Sequence, residues 1–337
     1  MSRRSTLGAV ICAALFILFS MIPVFAFDHL SLDAVSSEFE VKHGQCAAVL
    51  LEMTRARIEY VYNRSCAIDQ RFPPGSIAKV FTSVVLLEHA NEWGFSPVRP
   101  YQCTGVFVPS KEYSFTGWDE SSFNLVGEGE RRAFKCSVHD GHGKVNLSFA
   151  LSHSCNAYFL TQGSISPAFF DDLISFWKLD EDPVTGRKYS SDTLTPFQRI
   201  ASAIGEGGAI RVSPLKVAQC FSALYEGTPL LIPSDDGSGR SSAPCVMSEQ
   251  NRRFIVSTLS RTMLDGTLKK FSGNGTTILG GKTGTGTHYR KRYAHHGWVA
   301  LIIESHGARY CLVTFVMNGS GSKEAAQYAE SLLGALR

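Results

Sequence analysis

The sequence predicts an α+β fold: an antiparallel sheet built from both chain ends and flanked by helices, with a mainly helical subdomain. Three observations predict it. Residues 46–63 read as two strands, the middle of the chain reads as helices, and three strand-like runs return between residues 277 and 318.

Cys46 to Met53 is an uninterrupted apolar run, and Arg57 to Asn63 alternates with Ile58, Tyr60 and Tyr62 on one face. Thr54-Arg55 is the turn between them. Arg71-Phe72-Pro73-Pro74-Gly75 stops the sheet, and Ile77 to His89 has helical length and good helix formers. Residues 91–150 are rich in Gly and Ser and weakly periodic. Leu147 to Gly163 and Phe169–Trp177 read as helices, Asp180 to Thr195 as a polar loop, and Ser213-Pro214-Leu215 opens a helix through Leu224. Thr277–Lys282, His296–Glu304 and Arg309–Asn318 carry the β-branched and aromatic content of strands. Lys323 to Leu336 closes the chain as an amphipathic helix.

With 337 residues, 44% of them apolar, the chain can bury one large core or two small ones. A net charge of +3 gives no argument for a nucleic-acid partner. Arg3 and Arg4 precede an apolar run from Leu7 to about Phe27, and Val24-Phe25-Ala26 has the small residues of a cleavage site. Residues 1–26 therefore read as a secretory signal or a membrane anchor, and 27–44 as a linker to a domain spanning 45–337. Either reading places the domain in the periplasm or on the outer face of the cytoplasmic membrane. Of nine cysteines, Cys12 falls in this leader, and the remaining even number permits disulfides in an exported chain. The pair expected here is Cys103–Cys136, which brackets a weakly periodic loop, with Cys155 free. No Cys-x-x-Cys occurs, and His139, His142, His295 and His296 lack ligand spacing, so neither metal nor cofactor is expected.

Three short motifs carry chemistry. Ser-x-x-Lys occurs at Ser76/Lys79, Ser175/Lys178, Ser213/Lys216 and Ser320/Lys323. Such a pair is usually a capping serine beside a solvated lysine. Ser76 differs because it follows Pro-Pro-Gly and opens an apolar helix, where backbone N–H groups are free. Lys79 falls on the same face and is flanked by Ala78, Val80 and Phe81, which implies burial. Ser154-Cys155-Asn156 is the polar break in an apolar helical segment. Lys282-Thr283-Gly284-Thr285 follows a strand, and a plain hairpin turn explains its glycines but not its lysine and threonines.

Ser-x-x-Lys, Ser-x-Asn and Lys-Thr-Gly in this order resemble the three catalytic elements of penicillin-binding proteins and related serine β-lactamases. The resemblance covers residues 45–337, including Ile204-Gly-Glu-Gly207, Ser213-Pro214-Leu215, Met263–Thr267 and Gly297-Trp298. Cys103-Thr-Gly105, Cys136, His142-Gly143 and Ser154-Cys155-Asn156 are closest to the elongation-type class B enzymes, without their N-terminal pedestal.

The resemblance implies a serine acyl-transferase acting on D-Ala-D-Ala stem peptides of peptidoglycan, acylated by β-lactam antibiotics. Ser76 would be the nucleophile, with Lys79 neutral as its base and Lys282 as the cation that lowers the Lys79 pKa. Ser154 would relay the proton, and Asn156 would hold the substrate and Lys79. Lys282, Thr283, Gly284 and Thr285 would bind the substrate and its carboxylate, and the backbone N–H groups of Ser76 and Thr285 would form the oxyanion hole. The alternatives are a serine β-lactamase and a non-catalytic penicillin- or muropeptide-binding sensor. No Glu-x-x-Leu-Asn is present to position a deacylating water, and three intact motifs argue against a sensor.

Overall fold

The computed structural model describes residues 27–109, 125–126, 133–189, 194–232, 246–287 and 295–336. Residues 1–26, read above as a signal or anchor, and the basic stretch Arg290–Arg292 lie outside the described residues.

In chain order the elements begin with helix α1 (His29–His43), strands β1 (Cys46–Glu52) and β2 (Arg57–Tyr62), and helix α2 (Ala78–Glu88). Short strands follow: β3 (Tyr101–Cys103), β4 (Val106–Phe107), β5 (Leu125–Val126), β6 (Ala133–Lys135) and β7 (Gly143–Val145). The helices α3 (Leu147–Ser152), α4 (Asn156–Gln162), α5 (Phe169–Trp177), α6 (Pro196–Ala201), α7 (Pro214–Glu226) and α8 (Glu249–Arg261) come next. Strands β8 (Thr277–Thr287), β9 (His295–Ser305) and β10 (Ala308–Met317) and helix α9 (Glu324–Ala335) end the chain.

The main sheet has the order β2-β1-β10-β9-β8 and is antiparallel throughout. Both chain ends build it, as the order of elements in the sequence requires. Both of its faces are covered. Ala48, Leu50, Leu301 and Leu312 pack with Leu32 and Phe39 of α1 and Tyr328 and Leu332 of α9. Val49, Leu51, Ile302 and Val313 face the larger cluster that contains Phe221 and Leu224 of α7. Burial on both faces explains why β1 is a continuous apolar run, while the edge strand β2 alternates.

Residues 27–44 are not a linker. Asp28 caps α1, its carboxylate accepting from Leu30 N at 3.1 Å. The buried stripe of α1 is Leu32, Ser36 and Phe39, and the serine in its middle hides the helical pattern. The Ser36 hydroxyl is satisfied inside by Tyr60 Oη at 2.9 Å and Tyr328 Oη at 2.7 Å. The helix expected over Leu147 to Gly163 is two helices, α3 and α4, separated by residues 153–155. α6 and α8 were not legible: α6 is one capping box, Thr195 with Gln198, and α8 buries only Ile255, Thr258 and Leu259.

Candidate active site

The turn ahead of α2 is built without room for side chains. Trp298 Nε1 on β9 donates to Pro73 O at 2.9 Å, and Gly75 N donates to Gly205 O at 3.2 Å. Gly75 has φ +52°, and a Cβ there would lie 2.1 Å from Thr285 O. This close packing sets the Lys-Thr-Gly portion of β8 against the helical turn Gly75–Ile77 that carries Ser76. β8 continues past the glycine to Thr287, rather than ending at Lys282.

Lys79 stands one turn below Ser76 and is wholly buried. Its Nζ donates to Ser76 Oγ at 2.9 Å, Ser154 O at 2.8 Å, Ser154 Oγ at 3.0 Å and Asn156 Oδ1 at 2.6 Å. Lys282 is also wholly buried, and its Nζ donates to Ser154 Oγ at 3.1 Å and Thr283 O at 3.0 Å. Ser154 thus bridges two lysines. It holds this position with φ +60°, a conformation that costs a non-glycine residue energy. Asn156 Nδ2 donates to Lys135 O at 3.0 Å. Thr285 Oγ1 accepts from Gly321 N at 3.1 Å.

Burial pushes the Lys79 ammonium down to about 8. Burial first, and then the charge on Lys79, push Lys282 well below the ordinary lysine range. Desolvation is the largest cause at both lysines, and a charge on either one disfavours charge on the other.

Ser76, Ser154, Asn156, Thr283, Gly284 and Thr285 line one cavity of about 510 Å³. All eight residues singled out in the sequence are therefore at one place, six on its wall and the two lysines directly beneath. Glu206, buried in the glycine-rich stretch after α6, lines the same cavity and was not assigned a role. Its signal was a carboxylate set between the glycines of Ile204-Gly-Glu-Gly207.

The seven described cysteines are all free thiols, so the expected Cys103–Cys136 disulfide is absent. Cys103, Cys136, His142 and Cys155 instead form a cluster with all ligand atoms within 4.8 Å of one another. Cys136 and Cys155 sulfurs are 3.7 Å apart, and His142 Nδ1 is 3.4 Å from Cys136 Sγ and 3.7 Å from Cys103 Sγ. Hydrogen bonding pushes Cys136 down, Cys155 up and His142 up. With metal–sulfur bonds of about 2.3 Å, the sulfurs of a tetrahedral site lie about 3.8 Å apart. These four residues have the donors and spacing to hold one thiophilic ion, contrary to the expectation of no metal. The four donors come from separate stretches of chain, which is why no short spacing revealed them.

A hydroxyl joined to a buried lysine, beside a second serine and a second lysine, has the groups that serine acyl transfer needs. The family model of the penicillin binding protein transpeptidase domain matches residues 42–334. The chain belongs to this family. No curated protein matches the sequence. Among solved structures, a chain of a peptidoglycan synthase complex that coordinates polymerization and crosslinking is 19% identical. Its TM-score is 0.66 over 92% of this chain and 60% of that one. Pseudomonas aeruginosa PBP2 in complex with WCK 5153 is 14% identical, with TM-score 0.68, over 92% of this chain and 74% of that one. Penicillin-binding protein A from M. tuberculosis, as a ceftriaxone acyl-enzyme complex, is 17% identical, with TM-score 0.64, over 91% and 78%. The present chain thus spans three-fifths of the first of these. Among the described residues, no helix is long and apolar enough to cross a membrane.

Proposed function

We propose that this protein is a serine D,D-acyl-transferase of peptidoglycan stem peptides, with Ser76 as the acylated residue. The observation that carries the reading is Lys79, fully buried and bonded at once to Ser76 Oγ and Ser154 Oγ.

A lysine pushed to about 8 is deprotonated in a usable fraction near neutrality. Neutral Lys79 takes the Ser76 proton as Oγ bonds to the carbonyl carbon of the penultimate D-Ala. The backbone N–H groups of Ser76 and Thr285 stabilise the oxyanion, a kind of contribution worth roughly 3 kcal/mol per donor. Collapse breaks the C–N bond, and the proton passes through Ser154 to the departing D-Ala amine. An amine acceptor gives cross-linking, and water gives carboxypeptidase activity. Opening of a β-lactam ring by the same attack leaves Ser76 acylated.

The substrate carboxylate belongs at Lys282, Thr283 and Thr285. Its arrival would favour the charged form of Lys282, and that charge would favour neutral Lys79 as the attack begins. β8 is the edge of the sheet, so an extended peptide can add to it as a further strand. The leader of residues 1–26 would deliver the domain to the cell-wall side of the cytoplasmic membrane, as a released or membrane-associated protein.

The test is incubation with a fluorescent penicillin followed by mass mapping of the labelled peptide. Label on Ser76 is the expected result, and label elsewhere or none overturns the reading. Release of D-Ala from a synthetic pentapeptide, with and without an amine acceptor, then separates transfer from hydrolysis.

A further inference from the structure

A second cavity, of about 500 Å³, opens beside α5 and shares no lining residue with the active cavity. The same two stretches of chain wall both. Arg71 lines the second cavity a short way ahead of Ser76, and Gly208 and Arg211 line it shortly after Glu206. Phe72 and Val212 tie these stretches together, each backbone N–H donating to the other's carbonyl at 2.9 Å. The volume falls within the usual range of ligand pockets.

The wall of this cavity carries cations that the protein leaves without counter-ions. The Arg71 guanidinium lies 3.9 Å from the centroid of the Tyr189 ring and donates to Leu179 O. Among the described residues it makes no other hydrogen bond and no ion pair, although a guanidinium has five N–H donors. The carboxylates around it are committed elsewhere. Glu181 pairs with Lys188 at 3.6 Å and Asp171 with Arg199 at 3.3 Å. Asp182 accepts from Thr185 N at 2.7 Å and Tyr189 Oη at 3.0 Å. Asp180 shares the wall and acts on Arg71 only at longer range. Behind the wall stands Lys216, 2% exposed, whose ammonium donates to the neutral Gln219 Oε1 at 3.0 Å. Burial lowers the pKa of both cations, and the charge on Arg71 further opposes that on Lys216. An anion in the cavity would offset both costs. The guanidinium fork matches a planar carboxylate, and Phe170 and Ile174 offer apolar surface beside it, which a bare inorganic anion would leave unused.

Taking the source of the ligand from the acyl-transfer reading, we infer that this cavity is a second, non-catalytic binding site for the C-terminal carboxylate of a stem peptide. Arg71 holds the carboxylate, and the alanine methyl groups lie against Phe170 and Ile174.

The experiment uses the full chain as Ser76→Ala, which cannot turn the peptide over, and a D-Ala-D-Ala dipeptide bearing a diazirine on its N-terminal acyl group. Irradiation and mass mapping should find cross-links within residues 169–179 or 208–211, as well as near Thr283–Thr285. The C-terminal amide of the same probe should need about tenfold to hundredfold more to reach half-maximal cross-linking in the cavity, the worth of a charged hydrogen bond. Arg71→Met should show the same loss there and keep its cross-links near Thr283–Thr285. Acid and amide cross-linking equally in the cavity would overturn the proposal, and that comparison leaves Arg71 in place. Displacement by inorganic phosphate as effective as by acetyl-D-Ala-D-Ala would overturn it too, reducing the cavity to a site for any anion. Cross-links near Thr283–Thr285 alone refute the second site and leave the acyl-transfer reading standing. Cross-links in the cavity alone support the second site and count against Thr283–Thr285 as the substrate's place.

Discussion

Ser76–Lys79 and Ser213–Lys216 share the same spacing, a proline within two residues of the serine and a buried lysine, yet only one pair is joined through its side chains. Ser213 is extended, at φ −85° and ψ 158°, and stands outside α7 as its cap. Its Oγ turns back to accept from Lys216 N at 3.2 Å, and the Lys216 ammonium goes to Gln219 Oε1 at 3.0 Å. Ser76 is already inside a helical turn, and no side-chain cap bond forms there. Its hydroxyl is left to the Lys79 side chain. Backbone conformation at the serine decides whether the spacing makes a cap or a nucleophile–base pair. Burial also lowers the pKa of Lys216, so a perturbed lysine does not by itself mark a site.

The largest expected effect breaks the comparison outright. Ser76→Ala should abolish labelling by fluorescent penicillin, and Ser213→Ala should label fully. Mass spectrometry of intact protein after saturation reads both. A labelled Ser76→Ala would end the distinction between the two serines.

The lysines should separate next. Acylation of the native protein should rise with pH through about 8, because the base is the neutral form of Lys79. Lys79→Met should lose roughly 10²–10⁴ in acylation rate, the range for a general base. Lys216→Met should keep both the rate and the limb near 8. Stopped-flow acylation against pH would check this, and a native profile without a rise across that range would remove Lys79 as base.

The contrast also shows what the sequence exposes. Lys79 among Ala78, Val80 and Phe81 signals a buried cation, and the three strands near the C-terminus signal themselves by their β-branched and aromatic content. Those features are local. The helix α1 escaped because its inward stripe contains Ser36, whose burial depends on hydroxyls of Tyr60 and Tyr328 far along the chain. The cysteine–histidine cluster escaped for the same reason, since folding alone brings Cys103, Cys136, His142 and Cys155 together. A polar group whose partner is distant in sequence leaves no local pattern.

Lys282 provides a sharper, smaller test. Burial pushes it well below the ordinary lysine range, as burial also lowers Lys79, so removing it should leave the acylation limb near 8 in place. Lys282→Met should instead weaken capture of a carboxylate-bearing β-lactam by about tenfold to hundredfold, the worth of a charged hydrogen bond. The saturation curve at several pH values divides these. A large shift of the limb in Lys282→Met would show that Lys282 controls the charge of Lys79 before substrate arrives.

The smallest effect reverses the roles of the two serines. Ser213 satisfies a backbone donor at the start of a helix whose residues Pro214 to Tyr225 are all buried. Its removal leaves Lys216 N without that acceptor, where water has little access. Ser213→Ala should cost about 1 kcal/mol and lower the melting temperature by about 2–4 °C. Ser213→Gly should cost only a few tenths of that, since glycine is itself a tolerated cap. Ser76→Ala removes no cap and should melt with the native protein. Thermal unfolding of the three variants under one buffer condition gives the comparison. If Ser213→Ala melts with the native protein, Ser213 is not an energetic cap, and the backbone distinction between the two motifs loses its stability half.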